Sequence, residues 1–341
     1  MCSQARTATS KASLQDKVQF LRQPGVYPER TSSVEVRETH LSYVFLTSDS
    51  AYKMKKPLAH ALADLRTLEG RGANCQAEVQ LNRRLAPDVY LGITALTQSA
   101  SGALSLGGEG EVVEWLVRMR RLPSEAMLDQ LIVKGRLRST DVVAVAERLG
   151  EFFSAQPGVD LSAEDYVAQL RHQLELSVQM LARREFGLSS ATLGAVAAAV
   201  RRYLDEGTEL AARARRIVEG HGDLRPEHVC VVTPPVVIDC LEFSRELRLL
   251  DPFDEIAFLG LECARLGADW VGPLLRHSLE AILQDVPPPR LERFYTALRA
   301  CVRARLAAAH LLEPTPSSSR DWLAVARDYL ARAQRLGSAL A

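Results

Sequence analysis

The sequence predicts an α+β fold in which a small antiparallel sheet with one helix, over residues 32–121, precedes a larger and mainly helical part at 122–341. Three observations carry this. Short runs rich in β-branched and aromatic residues recur before residue 121, each bounded by turn chemistry. Helical periodicity dominates past Pro123. The one strand-like interruption after that point is HGDLRPEHVCVVTPPVVIDCLEF at 221–243.

Residues 1–31 read as an N-terminal extension: a polar start, a short helix over Leu14 to Arg22, then QPGVYPERTSS, whose prolines and glycine break it. Three strands follow at Val34 to Thr39, Leu41 to Thr47 and Ala51 to Lys55, with the SDS turn at 48–50 before the third. Over Leu65 to Leu85 the pattern becomes helical, because Ala77, Leu81 and Leu85 recur every fourth residue and Pro87 supplies a stop. Tyr90 to Leu96, Leu104 to Leu106 and Val112 to Met119 are further strands, separated by SASG and GGEGE. The helical part begins with Met127 to Lys134, closed by Gly135, and Thr140 to Phe153, capped by Ser139 or Thr140. Long periodic stretches run from Ala163 to Glu219 and from Asp254 onward, punctuated by Pro287 to Pro289 and by PTPSSS at 314–319. Between them, Val229 to Val232 and Val236 to Ile238 form a hairpin across Thr233, Pro234 and Pro235.

Lys and Arg together number 42, as do Asp and Glu, so no overall field draws the chain to nucleic acid or to an anionic membrane. The expected partners are small molecules, and oligomeric state is left open. Six cysteines without CxxC spacing read as reduced thiols rather than a zinc site or a disulfide framework. No secretory leader and no apolar run of about 18 residues is present, which points to the cytoplasm.

The chemistry concentrates at HGDLRPEH, 221–228, and at Asp239 beyond the hairpin. Transferring a phosphoryl group requires a base near the acceptor hydroxyl, a divalent metal on the phosphates and in-line positioning of both reactants. Asp223 suits the first task, and Asp239, a hard oxygen ligand, the second. On the third strand Lys53 and Lys55 share a face by alternation. In the following helix Glu78 precedes Leu81 and Leu85 by three and seven residues, so it lies on the buried stripe and needs a cation, for which Lys55 is the natural candidate.

HGDL, the apolar hairpin and Ile238–Asp239 resemble the catalytic segment of the aminoglycoside phosphotransferases and choline kinase-like enzymes, and DLRPEH resembles the catalytic loop of protein kinases. The resemblance implies a bilobal protein kinase-like fold, with a nucleotide-binding N-lobe at 32–121 and a helical C-lobe at 122–341. It implies an ATP-dependent phosphotransferase acting on a hydroxyl of a small molecule, with Mg2+, or Mn2+ in its place, as cofactor. Asp223 matches the catalytic base, Asp239 the metal ligand, His221 the loop-bracing histidine, and Arg225 the cation that contacts the transferred phosphate. Matching YKMK to the kinase VAIK pattern selects Lys55 for the nucleotide phosphates, with Lys53 and Lys56 as alternatives, and Glu78 as its partner. Thr39, His40 and Ser42 occupy the turn that would approach the phosphates, Met119, Arg120 and Arg121 the hinge near the base, and Asp254 the place of an acid bracing the catalytic loop. Asp165, Glu242 and Glu246 are acids in the region that reads the acceptor.

One departure stands out. The family places Asn five residues after the catalytic Asp, and this chain has His228. Either His228 ligates a metal other than magnesium, or it contacts phosphate, or the second metal is lost. The last alternative would make the chain a nucleotide-binding pseudokinase acting as a regulatory or interaction module. ETHLSYVFL, YKMKKP, CQAEVQLNRRLAP, VVEWLVRMRRLP and DCLEFSRELRLLDPFDEIAFL further resemble the phosphotransferase-like half of bacterial proteins that join such a module to a P-loop kinase domain; this sequence itself holds no GxxxxGK[ST].

Overall fold

The computed structural model describes residues 11–60, 63–312 and 320–340; the first ten residues and the PTPSSS loop lie outside them. The chain divides into two compact units, one made of the residues up to Pro123 with Val237–Ser244, the other of Ser124–Val236 and the residues from Arg245 onward.

In the first unit the described strands are β1 (Glu35–Glu38), β2 (Ser42–Leu46), β3 (Ser50–Lys55), the short pair β4 (Ala59–His60) and β5 (Ala63–Asp64), β6 (Tyr90–Gln98), β7 (Leu104–Leu106) and β8 (Glu111–Arg120). Apart from β4 and β5 they form an antiparallel sheet of order β1-β2-β3-β8-β6-β7. Alternation along β3 sends Tyr52 and Met54 into a core with Phe45, Leu96 and Leu116, and Lys53 and Lys55 to the opposite face. Helix α2 (Leu68–Asn82) covers that face. It starts three residues later than the periodicity suggested, because the Thr67 hydroxyl caps it by accepting the Gly70 N–H at 3.0 Å. Gly72 is required where α2 meets β8, since a Cβ there would stand 2.8 Å from the Trp115 ring.

The sequence boundary near Ser32 falls inside this unit. Helix α1 (Leu14–Leu21) buries Val18 and Leu21 against Tyr27, Phe45 and Tyr52, each worth roughly 1.5–3 kcal/mol. Lys17 donates to Glu114 at 2.9 Å and to the Val113 carbonyl at 2.7 Å. Glu114, fully buried, is also held by Arg71 at 2.7 Å, so this carboxylate fastens α1 and α2 to β8.

The second unit holds α3 (Leu128–Val133), α4 (Ser139–Ala155), α5 (Ala163–Leu181), α6 (Ser190–Glu206), α7 (Thr208–Arg213), α8 (Pro252–Arg265), α9 (Val271–Leu283), α10 (Pro289–Ala309) and α11 (Trp322–Ser338). The periodic stretch read as running from Ala163 to Glu219 is divided by Gly187 and Gly207, both left-handed at φ of 56° and 63°, and ends in β9 (Val218–Glu219). The hairpin is shorter than its sequence, with β10 (Val229–Cys230) followed by β11 (Val236–Val237), and β12 (Leu249–Leu250) pairs with β9. At the start of α4 the cap position belongs to Arg138, not Ser139 or Thr140: Asp141 accepts the Arg138 N–H at 3.0 Å and its guanidinium at 2.6 Å. Helix α8 is buried from Pro252 to Cys263, so each acid on it must find a partner. No helix of the described residues is long and apolar enough to cross a membrane.

Candidate active site

Within the first unit, Lys53, Lys55, Glu78, Asp239 and Glu242 form one charged cluster. Glu78 is fully buried. Lys53 Nζ donates to Glu78 Oε1 at 2.9 Å and to Asp239 Oδ1 at 2.6 Å. Lys55 Nζ pairs with the other Glu78 oxygen and with Glu242 Oε1, the latter at 2.5 Å. The lysine reaching Asp239 is therefore Lys53, whereas Lys55, at 2% exposure, is committed to two buried acids. Glu242, placed by the resemblance among acids near the acceptor, belongs to this cluster through Lys55. Lys56 pairs with Glu38 at 2.6 Å.

Burial opposes the charge on Lys53, but Asp239 and then Glu78 outweigh it and raise its pKa well above the ordinary lysine value. Burial likewise opposes the charge on Glu78, and Lys53 and Lys55 hold its pKa down. Glu242 goes the other way, because burial raises its pKa more than Lys55 lowers it.

Asp239 sits in the left-handed region at φ 62°, a conformation uncommon for a residue with a side chain but enriched in Asp. Two contacts fix it there: its N–H donates to Tyr90 Oη at 3.1 Å, and the Cys240 N–H donates to Asn82 Oδ1 at 2.8 Å. Asn82 in turn donates to the Glu78 carbonyl at 2.8 Å. Tyr90 and Asn82 were not singled out from the sequence; the signal available was Asn82 four residues after Glu78, on the same helical stripe. The Asp239 side chain is 40% exposed, and its hard carboxylate oxygens suit Mg2+ or Mn2+ completed by water and phosphate oxygens. Among the described residues no three His, Cys, Asp or Glu side chains are grouped to hold a metal without such help.

Thr39 and His40 are exposed in the β1–β2 turn, which closes through the Thr39 N–H and the Ser42 carbonyl at 2.8 Å. The Ser42 hydroxyl is buried without a hydrogen-bond partner, so the three residues do not present a common polar face. Met119 is buried near the end of β8, Arg120 donates to the Asp88 carbonyl at 3.3 Å and Arg121 to the Thr47 carbonyl at 2.5 Å.

In the second unit the HGD segment turns at Gly222, whose φ of 86° favours glycine. His221 is fully buried, its ring accepting the Asp223 N–H at 3.3 Å. The acid that braces this turn is Glu255, which accepts the N–H groups of His221, at 2.9 and 3.1 Å, and of Gly222, at 2.5 Å. Asp254 instead pairs with Arg299 through two 2.7 Å bonds. One residue along a helix is a rotation of about 100°, so neighbouring acids on α8 face different elements. Asp165 and Glu246 lie elsewhere, Asp165 beside its helix cap Ser162 and Glu246 beside Gln169.

The Asp223 side chain is 26% exposed and is held by Arg225 at 3.0 Å. Burial opposes its charge, but Arg225 foremost, with Arg303 beyond it, holds its carboxyl below the usual aspartate range. His228 has both ring nitrogens engaged, Nδ1 with the Asp223 carbonyl at 2.8 Å and Nε2 with Arg225 Nη2 at 3.1 Å. Since a carbonyl only accepts and a guanidinium only donates, the ring is the neutral Nδ1–H tautomer and its one lone pair is used. This arrangement does not fit His228 as a metal ligand.

This is the fold of the aminoglycoside phosphotransferases and choline/ethanolamine kinases: a protein kinase-like arrangement with a sheet-based N-terminal unit and a mainly helical remainder. The chain is similar to a choline/ethanolamine kinase family protein from Mesorhizobium loti, with a TM-score of 0.58 and 15% identity over 94% of each chain. It is similar to an aminoglycoside phosphotransferase bound to GDP and kanamycin, with a TM-score of 0.56 and 16% identity over 95% of this chain and 99% of the other. An ethanolamine kinase of Plasmodium vivax matches at a TM-score of 0.52 and 13% identity, covering 91% and 84%. In sequence, uncharacterized proteins of Mycobacterium tuberculosis and Mycobacterium bovis are 32% identical over 297 residues. That match covers 84% of this chain and 57% of each relative, so the chain spans little more than half the length of these curated relatives. No protein-family model matches.

Proposed function

We propose that the chain is an ATP-dependent phosphotransferase acting on a hydroxyl of a small molecule in the cytoplasm. The observation that carries this reading is Lys53, a lysine kept charged by Glu78 and Asp239 on the strand where such folds pair a lysine with nucleotide phosphates. In this reading Lys53 contacts the phosphates, and Glu78 orients it. Asp239 holds Mg2+ or Mn2+, which when bound neutralises phosphate oxygens.

Asp223, ionised at neutral pH, accepts a hydrogen bond from the acceptor hydroxyl and takes its proton as the new oxygen–phosphorus bond forms and the bond to the leaving diphosphate breaks. A carboxylate held at low pKa is a weak base, so its main contribution is to orient the hydroxyl until late in the transfer. Arg225 places positive charge beside Asp223 for the transferred group, and His228 steadies Arg225 by accepting from it. Thr39, His40, Met119 and Arg120 are assigned to the nucleotide only by their position along the chain.

The test is a thermal-shift titration with ATP plus Mg2+ or Mn2+, followed by a screen of metabolite pools with labelled ATP on wild type and Asp223→Ala. Metal-dependent binding with label transfer that the variant loses supports the reading. Binding without Asp223-dependent transfer would favour the pseudokinase, the reading that His228 in place of Asn suggests.

A further inference from the structure

The helices α8, α9, α10 and α11 of the second unit enclose a pocket of about 400 Å³. Its apolar floor exists because α8 and α9 cross in backbone contact at Gly260 and Gly272, where a Cβ on Gly260 would stand 2.9 Å from the Gly272 Cα. Pro273 and Ala264 continue that floor.

The opposite wall is cationic. Arg293 from α10 and Arg335 from α11 both line the pocket. Several other arginines of these helices are matched: Arg299 holds Asp254, Arg303 holds Glu262, and Arg332, which also lines the pocket, holds Asp328. Arg293 and Arg335 hold no carboxylate among the described residues, and the Arg293 Nε is buried with no hydrogen-bond partner. Two carboxylates also line the pocket and do not answer them: Glu292 is taken by Arg276, and Asp269 is exposed and outside ion-pair distance. A buried guanidinium N–H without an acceptor is costly, and a planar, forked donor matches the oxygens of a carboxylate or a phosphate.

We propose that this pocket binds a small anion with an apolar body, a carboxylate or phosphate monoester seated on Arg293 and Arg335 with its body over the Gly260–Gly272 crossing. The volume lies in the range of small-ligand sites and accommodates a ring-sized group beside the anion. The lining includes none of the groups assigned to phosphoryl transfer, and its occupancy requires no nucleotide.

Isothermal titration calorimetry on the full chain with phenyl phosphate, benzoate and neutral benzyl alcohol tests it. Saturable binding of phenyl phosphate or benzoate is expected, whichever is tighter identifying the anion, with benzyl alcohol weaker by about tenfold or more. The double variant Arg293→Gln/Arg335→Gln should weaken anion binding by at least roughly tenfold per lost guanidinium contact, while Lys53→Met leaves it unchanged. If the double variant loses its far-UV circular dichroism, Arg335→Gln alone, at an exposed position, takes its place. Absence of saturation at millimolar anion, or weakening by Lys53→Met and not by the arginine changes, overturns the proposal. Since no turnover is read, that failure is distinct from failure of the kinase reading.

Discussion

Replacing Glu255 with Gln should flatten the pH dependence of stability in the helical unit. Glu255 is 1% exposed, and burial pushes its carboxyl from 4.5 up to about 7, opposed by the His221 and Gly222 N–H groups and by Arg299. Between those pH values the folded chain keeps a proton that the unfolded chain has lost. The stability Glu255 contributes is therefore complete below pH 4.5 and falls as pH rises to about 7. A span of about 2.5 pH units at about 1.4 kcal/mol each gives a loss of about 3 kcal/mol. Gln carries no charge and keeps the oxygen that both N–H groups approach, so the loop stays braced while the titration disappears. Urea unfolding of wild type and Glu255→Gln, followed by far-UV circular dichroism at about pH 5 and pH 8, measures the difference. The wild-type advantage should shrink by about 2.5 kcal/mol from the lower pH to the higher, since part of the loss has already occurred at pH 5. Parallel profiles would refute the reasoning.

The two lysines of β3 should separate by phenotype. Lys55→Met leaves Glu78 and Glu242 sharing a buried site with one cation fewer, costing about 3 kcal/mol or more in thermal melting with a smaller effect on nucleotide contact. Lys53→Met leaves Glu78 paired with Lys55, so label transfer should fall roughly 100-fold with less loss of melting temperature; the reverse pattern would return the phosphate role to Lys55. His228→Asn should leave the ratio of Mn2+- to Mg2+-supported activity nearly constant, whereas loss of a true ligand would shift it by about tenfold or more.

The sheet followed by helices was legible because alternation, 3.6-residue periodicity and Gly or Pro punctuation are local properties of the chain. So were the candidate acids Asp223 and Asp239, which stand in a segment whose turn and hairpin chemistry differ from everything around them. The inward face of Glu78 was readable for the same reason, its spacing from Leu81 and Leu85. Helix α1 was less so, because a single short amphipathic turn does not announce what it packs on, and Lys17 finds Glu114 only across the folded sheet.

By itself, then, the sequence determined the order of elements, the two carboxylates on either side of a hairpin and the lysine-bearing face of the third strand. Tertiary structure alone decided the pairings. Lys53 and Lys55 share one face, so only the placement of Asp239 and Glu242 distinguishes them. Glu255 rather than Asp254 meets the HGD turn because of a rotation that no spacing rule resolves without knowing where the turn lies. His228 is turned to Arg225, and two arginines are left without acids around a pocket. Charge and hydrogen-bond energies act over a few ångströms, and which groups come that close is set by the packing of elements far apart in the chain.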